Sequence, residues 1–137
     1  MAREVFIDTS GFYAVLVGKD DRHAEAVDVF RGAEKEGRRF ATTDYVLDET
    51  ATLLMARGHL QILEPFFRTT LASKACSIVW TEPEMFSRTM AFFLKHRDQG
   101  WSFTDCLSFQ VMKVRRLREA LTKDEHFEKA GFRALLA

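Results

Sequence analysis

The chain has 137 residues, 47% of them hydrophobic and 29% charged, which are the proportions of an ordinary globular protein and exclude the disordered, fibrous and collagen-like classes. Lys plus Arg and Asp plus Glu each total 20, so net charge offers no global attraction to nucleic acid or to a membrane surface, and any such attraction must be local. Arg3 and Glu4 follow the first residues at once, and no apolar run approaches the ~18 residues of a membrane span, so the expected location is the cytoplasm.

A single domain over 1–137 is expected, with thirteen Phe against two Tyr and two Trp predicting a core filled mainly by phenylalanine. Val5, Phe6 and Ile7 form a short apolar run ending at Asp8-Thr9-Ser10-Gly11, the pattern of a strand buried on both faces and followed by a turn. Residues 21–36 read as a helix stopped by Gly37, and 39–43 as a second strand. Asp44 opens a helix running through Glu49 and Leu53 to Arg57, with Gly58 at its end. Residues 60–73 give another helix, 76–80 a third strand, and 82–98 a helix with acids first and Lys95, His96 and Arg97 last, as the macrodipole favours. Thr104 is the expected cap of a helix reaching about Leu117; then come a strand at 119–122, a short helix at 125–130 and a fifth strand at 132–136. Cys76 and Cys106 lie in apolar contexts without CxxC spacing and read as core thiols of a reducing compartment.

Short apolar strands alternating with helices predict a parallel sheet covered on both faces, because parallel strands need crossover connections. In such sheets ligands bind beyond the carboxyl ends of the strands, where the strand order reverses. Asp8 stands at that end of the first strand and Asp124 just past the fourth, so an order 3-2-1-4-5 sets them side by side. On the helix from Asp44, helical phase puts Val46, Thr50 and Leu53 on one face with Glu49 at its edge, held against the protein body, while Asp48 points the other way into solvent. Asp105 belongs to the first turn of its helix, where the macrodipole alone already favours an acid. Four carboxylates brought together would repel one another unless cations neutralise them, and hard divalent ions with oxygen ligands, Mg²⁺ or Mn²⁺, are the natural neutralisers.

At Phe6-Ile7-Asp8-Thr9-Ser10, at Glu49-Thr50 with Leu53-Leu54, at Ser102-Phe103-Thr104-Asp105-Cys106 and at Leu121-Thr122-Lys123-Asp124-Glu125-His126-Phe127, the sequence resembles the PIN-domain ribonucleases. Among these it is most similar to the VapC-type toxins of bacterial and archaeal toxin–antitoxin pairs, and Asp20 with His23 and Ala26 adds a further match after the family's first short helix. The resemblance implies a three-layer α/β/α fold around a five-stranded parallel sheet in the order 3-2-1-4-5. It implies a metal site of Asp8, Glu49, Asp105 and Asp124 that takes one or two ions and leaves a 5′-phosphate and a 3′-hydroxyl on the cleaved RNA. It also implies homodimers and an antitoxin that inserts near the active site. Thr9, Ser10 and Thr104 match small hydroxyl positions beside the acids and are expected to orient carboxylates or a bound water. Lys123 departs from the apolar or aromatic residue usual there.

Arg115 and Arg116, in the run Lys113-Val114-Arg115-Arg116-Leu117-Arg118, are the expected contacts to RNA phosphates, with a solvated helix end as the competing reading. His23 and His126 are expected to be structural or capping residues. Asp8-Thr9-Ser10-Gly11 also resembles the aspartic-protease loop, but those proteins are nearly all β, and a phosphatase nucleophile would want an acid where Ser10 stands. The remaining alternatives are a non-catalytic PIN-like module that binds RNA or protein, and a housekeeping RNA-processing nuclease.

Overall fold

In the computed structural model, which describes residues 4–136, the chain alternates strands and helices. The order is β1 (Val5–Ile7), α1 (Thr9–Leu16), α2 (His23–Lys35), β2 (Phe40–Thr43), α3 (Asp44–Ala56), α4 (Leu60–Ala72) and β3 (Cys76–Val79). There follow α5 (Pro83–Lys95), a 3₁₀ turn at Arg97–Gln99, α6 (Phe103–Val114), β4 (Glu119–Leu121), α7 (Glu125–Lys129) and β5 (Arg133–Ala134). All four strand pairings are parallel and the order is β3-β2-β1-β4-β5, the arrangement expected from the sequence.

Val5, Phe6 and Ile7 are at most 3% exposed, and since successive residues of a strand face opposite ways, both faces of the sheet are covered. On one face Val5 is in register with Phe40, whose ring stacks on Phe30 of α2 at 4.5 Å. Ile7 points to the same side, toward Phe12 of α1 and Phe66 of α4, whose rings meet edge to face at 5.3 Å. On the other face Phe6 packs near Phe127 of α7, and Phe127 meets Phe109 of α6. Five of the largest fully buried side chains are Phe6, Phe40, Phe66, Phe109 and Phe127, so phenylalanine does fill this core. Cys76 and Cys106 are free thiols pushed up to about 11 by burial and by the nearby charges of Glu4 and Asp105 respectively.

Local expectations needed correction at several places. Asp8 to Gly11 is not a free turn: Asp8 is the N-cap of α1, accepting the Gly11 amide, so the strand passes into a helix with no loop between them. Ser102, not Thr104, caps α6, and it forms a reciprocal capping box with Asp105. That helix ends at Val114 rather than near Leu117, and Arg116 takes a left-handed conformation with φ 58°. The fifth strand is two residues long instead of five.

The junction of β1 and α1 depends on Gly11. A β-carbon there would lie 1.9 Å from the carbonyl oxygen of Leu121, so only glycine lets the first turn of α1 rest on the end of β4. This contact brings Asp8 and the segment after β4 together.

Candidate active site

Beyond the carboxyl ends of β1 and β4 a pocket of about 260 Å³ is lined by Asp8, Thr9, Ser10, Glu49, Asp105 and Asp124, with Tyr13, Leu53, Arg57 and Lys123 completing its walls. A larger cleft, about 810 Å³, opens at the opposite edge of the sheet between Glu4, Arg38 and Arg133, where ion pairs such as Arg38–Glu119 occupy the charges.

Asp8 is the most buried of the acids, at 7% exposure. Its Oδ1 accepts the Gly11 N–H and the Ser10 hydroxyl, both at 2.9 Å, and its Oδ2 accepts the Thr122 hydroxyl at 2.8 Å. Burial pushes the carboxyl from its usual 3.8 up to about 7; these three hydrogen bonds oppose the rise and the charge of Asp124 adds to it. Thr122, fully buried, also accepts the Asp124 amide at 2.9 Å and stands 3.1 Å from the Ser10 hydroxyl. A closed ring of small hydroxyls thus holds Asp8 and sets the turn that carries Asp124.

Glu49 is exposed, as is Asp48, so the expectation that helical phase would press Glu49 into the protein body is corrected. What separates the two is a partner: the Thr9 hydroxyl donates to Glu49 Oε1 at 2.5 Å, holding that carboxylate at the pocket wall. Asp105 and Asp124 meet through His126, whose Nδ1 lies 2.9 Å from Asp105 Oδ2 and 3.4 Å from Asp124 Oδ1. Asp124 is in addition the N-cap of α7, accepting the His126 amide at 2.9 Å.

Ligand atoms of Asp105, Asp124 and His126 lie within 4.8 Å of one another. The carboxylate oxygens of Asp8, Asp105 and Asp124 on one pocket are the donors that a hard divalent ion takes. The residues present therefore fit a metal ion.

Behind the pocket stand two residues whose site contacts the sequence does not predict, Thr122 and His126. The bond from Thr122 to Asp8 spans 114 residues and has no local signal; His126, expected to be a structural or capping residue, bridges Asp105 and Asp124. Thr104, in contrast, makes no side-chain hydrogen bond among the described residues, and only its carbonyl is engaged, by Ser108 at 2.9 Å. Arg115 and Arg116 are not brought to the pocket. Arg115 forms a two-pronged ion pair with Glu4, just before β1, which sets it at the far edge of the sheet. Lys123 pairs with Asp20 at 3.1 Å and with Asp21 at 3.4 Å, which explains a cation where an apolar residue was expected.

Comparison with known proteins agrees with this architecture. The 23S rRNA-specific endonuclease VapC20 of Mycobacterium tuberculosis is 28% identical over 132 residues, covering 93% of this chain and 95% of the relative. A VapC ribonuclease of Archaeoglobus fulgidus is 28% identical over 114 residues, covering 82% and 72%. The crystal structure of VapC20, described as a sarcin–ricin loop cleaving toxin, superposes with a TM-score of 0.81 at 26% identity, covering 94% of this chain and 96% of that one. PAE2754 from Pyrobaculum aerophilum shares the fold, with a TM-score of 0.64 at 17% identity over 98% and 90% of the two chains. The profile of the PIN domain matches residues 5–133, and the chain belongs to the PIN-domain family.

Proposed function

We propose that this protein is a metal-dependent endoribonuclease, the toxin component of a toxin–antitoxin pair. The observation that carries the reading is the convergence of Asp8, Glu49, Asp105 and Asp124, from four separate stretches of chain, on one pocket beyond β1 and β4. Asp8, Asp105 and Asp124 would hold one or two Mg²⁺ or Mn²⁺ ions, with Glu49 as a further oxygen donor. When bound, such ions activate water and offset negative charge on the phosphate being cleaved. Thr122 and Ser10 keep the Asp8 carboxylate in one orientation, and Thr9 does the same for Glu49, so the acids are preorganised before substrate arrives. His126 holds Asp105 against Asp124 and keeps their oxygens facing each other.

The partners implied are an RNA substrate, a cognate antitoxin and a second copy of the chain. No helix among the described residues is long and apolar enough to cross a membrane, which fits the cytoplasmic location proposed. The named target of the 28% identical relative, 23S rRNA, supplies the first substrate to assay. Cleavage of a sarcin–ricin loop RNA should require Mg²⁺ or Mn²⁺, stop in EDTA and disappear in Asp8→Asn. Undiminished cleavage in excess EDTA would refute the metal mechanism, and failure to cut any RNA with either ion would refute the nuclease reading.

A further inference from the structure

The wall of the acidic pocket is built from two helix faces in contact. On α1, Thr9 and Tyr13 are one turn apart; on α3, Glu49 and Leu53 are likewise one turn apart, and Arg57 follows a turn later as the C-cap. Thr9 binds Glu49 at one end of this wall. At the other end the Arg57 guanidinium carbon sits 5.0 Å from the centre of the Tyr13 ring. Tyr13 is buried and its hydroxyl meets His59 Nε2 at 3.1 Å, which fixes the ring on which Arg57 rests.

Arg57 is exposed and has no carboxylate partner among the described residues. Lys123, the other basic side chain lining the pocket, is held by Asp20 and Asp21. A pocket walled by four acids repels a polyanion, so a strand that enters it needs a fixed cation nearby. A guanidinium lying on an aromatic ring uses one flat face and leaves its fork of N–H donors free, the shape that matches a phosphate.

We infer that Arg57, seated on Tyr13, holds a backbone phosphate of the RNA strand beside the acidic pocket. Arg57 lies eight positions after Glu49, about 12 Å along the helix axis. The phosphate held is therefore a neighbour of the scissile one, and Arg57 sets the direction in which the strand crosses the site. This inference rests on the ribonuclease reading above.

The test is fluorescence anisotropy of a short 5′-fluorescein single-stranded RNA of random sequence, titrated in Ca²⁺ over a series of salt concentrations, with melting curves for each variant. Arg57→Ala should weaken binding about tenfold and lower the slope of log affinity against log salt by about 0.7, one single-strand phosphate contact, at unchanged melting temperature. Arg57→Lys should keep the slope and recover only part of the affinity. Arg31→Ala, an exposed cation of α2, serves as the control for general loss of charge. If wild type binds and cleaves RNA while Arg57→Ala matches it in affinity and slope, or loses no more than Arg31→Ala, the inference fails and the ribonuclease reading stands. An affinity loss with an intact slope and a lowered melting temperature would make Arg57 a structural staple and also overturn it. If wild type neither binds nor cleaves RNA, both fall.

Discussion

Replacing Asp8 by Asn separates the cost of the active site from its chemistry. The native carboxyl is buried and pushed from 3.8 up to about 7, so its folded form prefers to be neutral. Between those two pH values the folded protein keeps a proton that the unfolded chain has released. Stability without metal must therefore fall as pH rises through that window and level off above about 7. At about 1.4 kcal/mol for each tenfold change in proton affinity, the full effect reaches about 4 kcal/mol. Asn removes the charge and can keep every hydrogen bond. Its Oδ1 still accepts from Gly11 and Ser10, and its amide donates to Thr122, which turns its own hydroxyl toward Ser10, 3.1 Å away. In EDTA, Asp8→Asn should therefore melt above wild type, by a margin that widens from pH 4 to pH 8 and then stays constant. Mg²⁺ or Mn²⁺ should stabilise wild type by about 2.7 kcal/mol at a hundredfold excess over the dissociation constant and stabilise the variant much less. Melting curves of both proteins, with and without metal across this pH range, decide the matter. An Asn variant that is less stable in EDTA at pH 8 yet keeps the full metal shift would reduce Asp8 to a helix cap and refute the reasoning.

Four further outcomes are expected. Glu49→Gln should slow RNA cleavage by roughly a hundredfold while Asp48→Asn stays within about twofold, because only Glu49 is tied to Thr9 at the pocket; equal rates would undo that assignment. Gly11→Ala should lower stability by about 3 kcal/mol or more, read by thermal or urea denaturation, since the new methyl meets the Leu121 carbonyl. Thr122→Val should lower stability by about 1–3 kcal/mol through the stranded Asp124 amide, and should slow cleavage by loosening Asp8; a variant unchanged in both would show the hydroxyl ring to be idle. Calorimetric metal affinity should rise with pH up to about 7 and flatten above it, as protons cease to compete for Asp8, whereas a flat profile would remove Asp8 from the ligand set.

The parallel pairing and the strand ends carrying Asp8 and Asp124 were legible in the sequence, because buried strands, crossover helices and carboxyl-end acids follow from one-dimensional patterns, whereas the strand order came only from the family resemblance and agrees with the order observed. Asp8-Thr9-Ser10-Gly11 reads as a turn in the sequence because a turn and an N-cap share the same physics, a side-chain oxygen accepting an amide two or three residues on. Similarly, Thr104 and Ser102 offer the same hydroxyl, and only the reciprocal bond with Asp105 distinguishes the true cap. Helical phase indicated the direction of Glu49 but not its exposure, which depends on how closely α1 approaches α3. Thr122 and Arg115 lay beyond local reasoning: the partner of the first, Asp8, is 114 residues away in sequence and that of the second, Glu4, is 111.

The pairing of β1 with β4 rests on two matched positions, Phe6 with Ala120 and Ile7 with Leu121. Each strand then runs one residue further, to Asp8 and to Thr122, so the bond between these two is indexed by counting residues rather than by any loop. A one-residue deletion inside either triplet would present Lys123 or a hydrophobic side chain to Asp8 and invert the facing of the whole strand. Added length around 73–75 or 97–100 would leave that index untouched. Among descendants of this gene, insertions and deletions should accordingly collect in those connections, while the triplets 6–8 and 120–122 are inherited as fixed-length words.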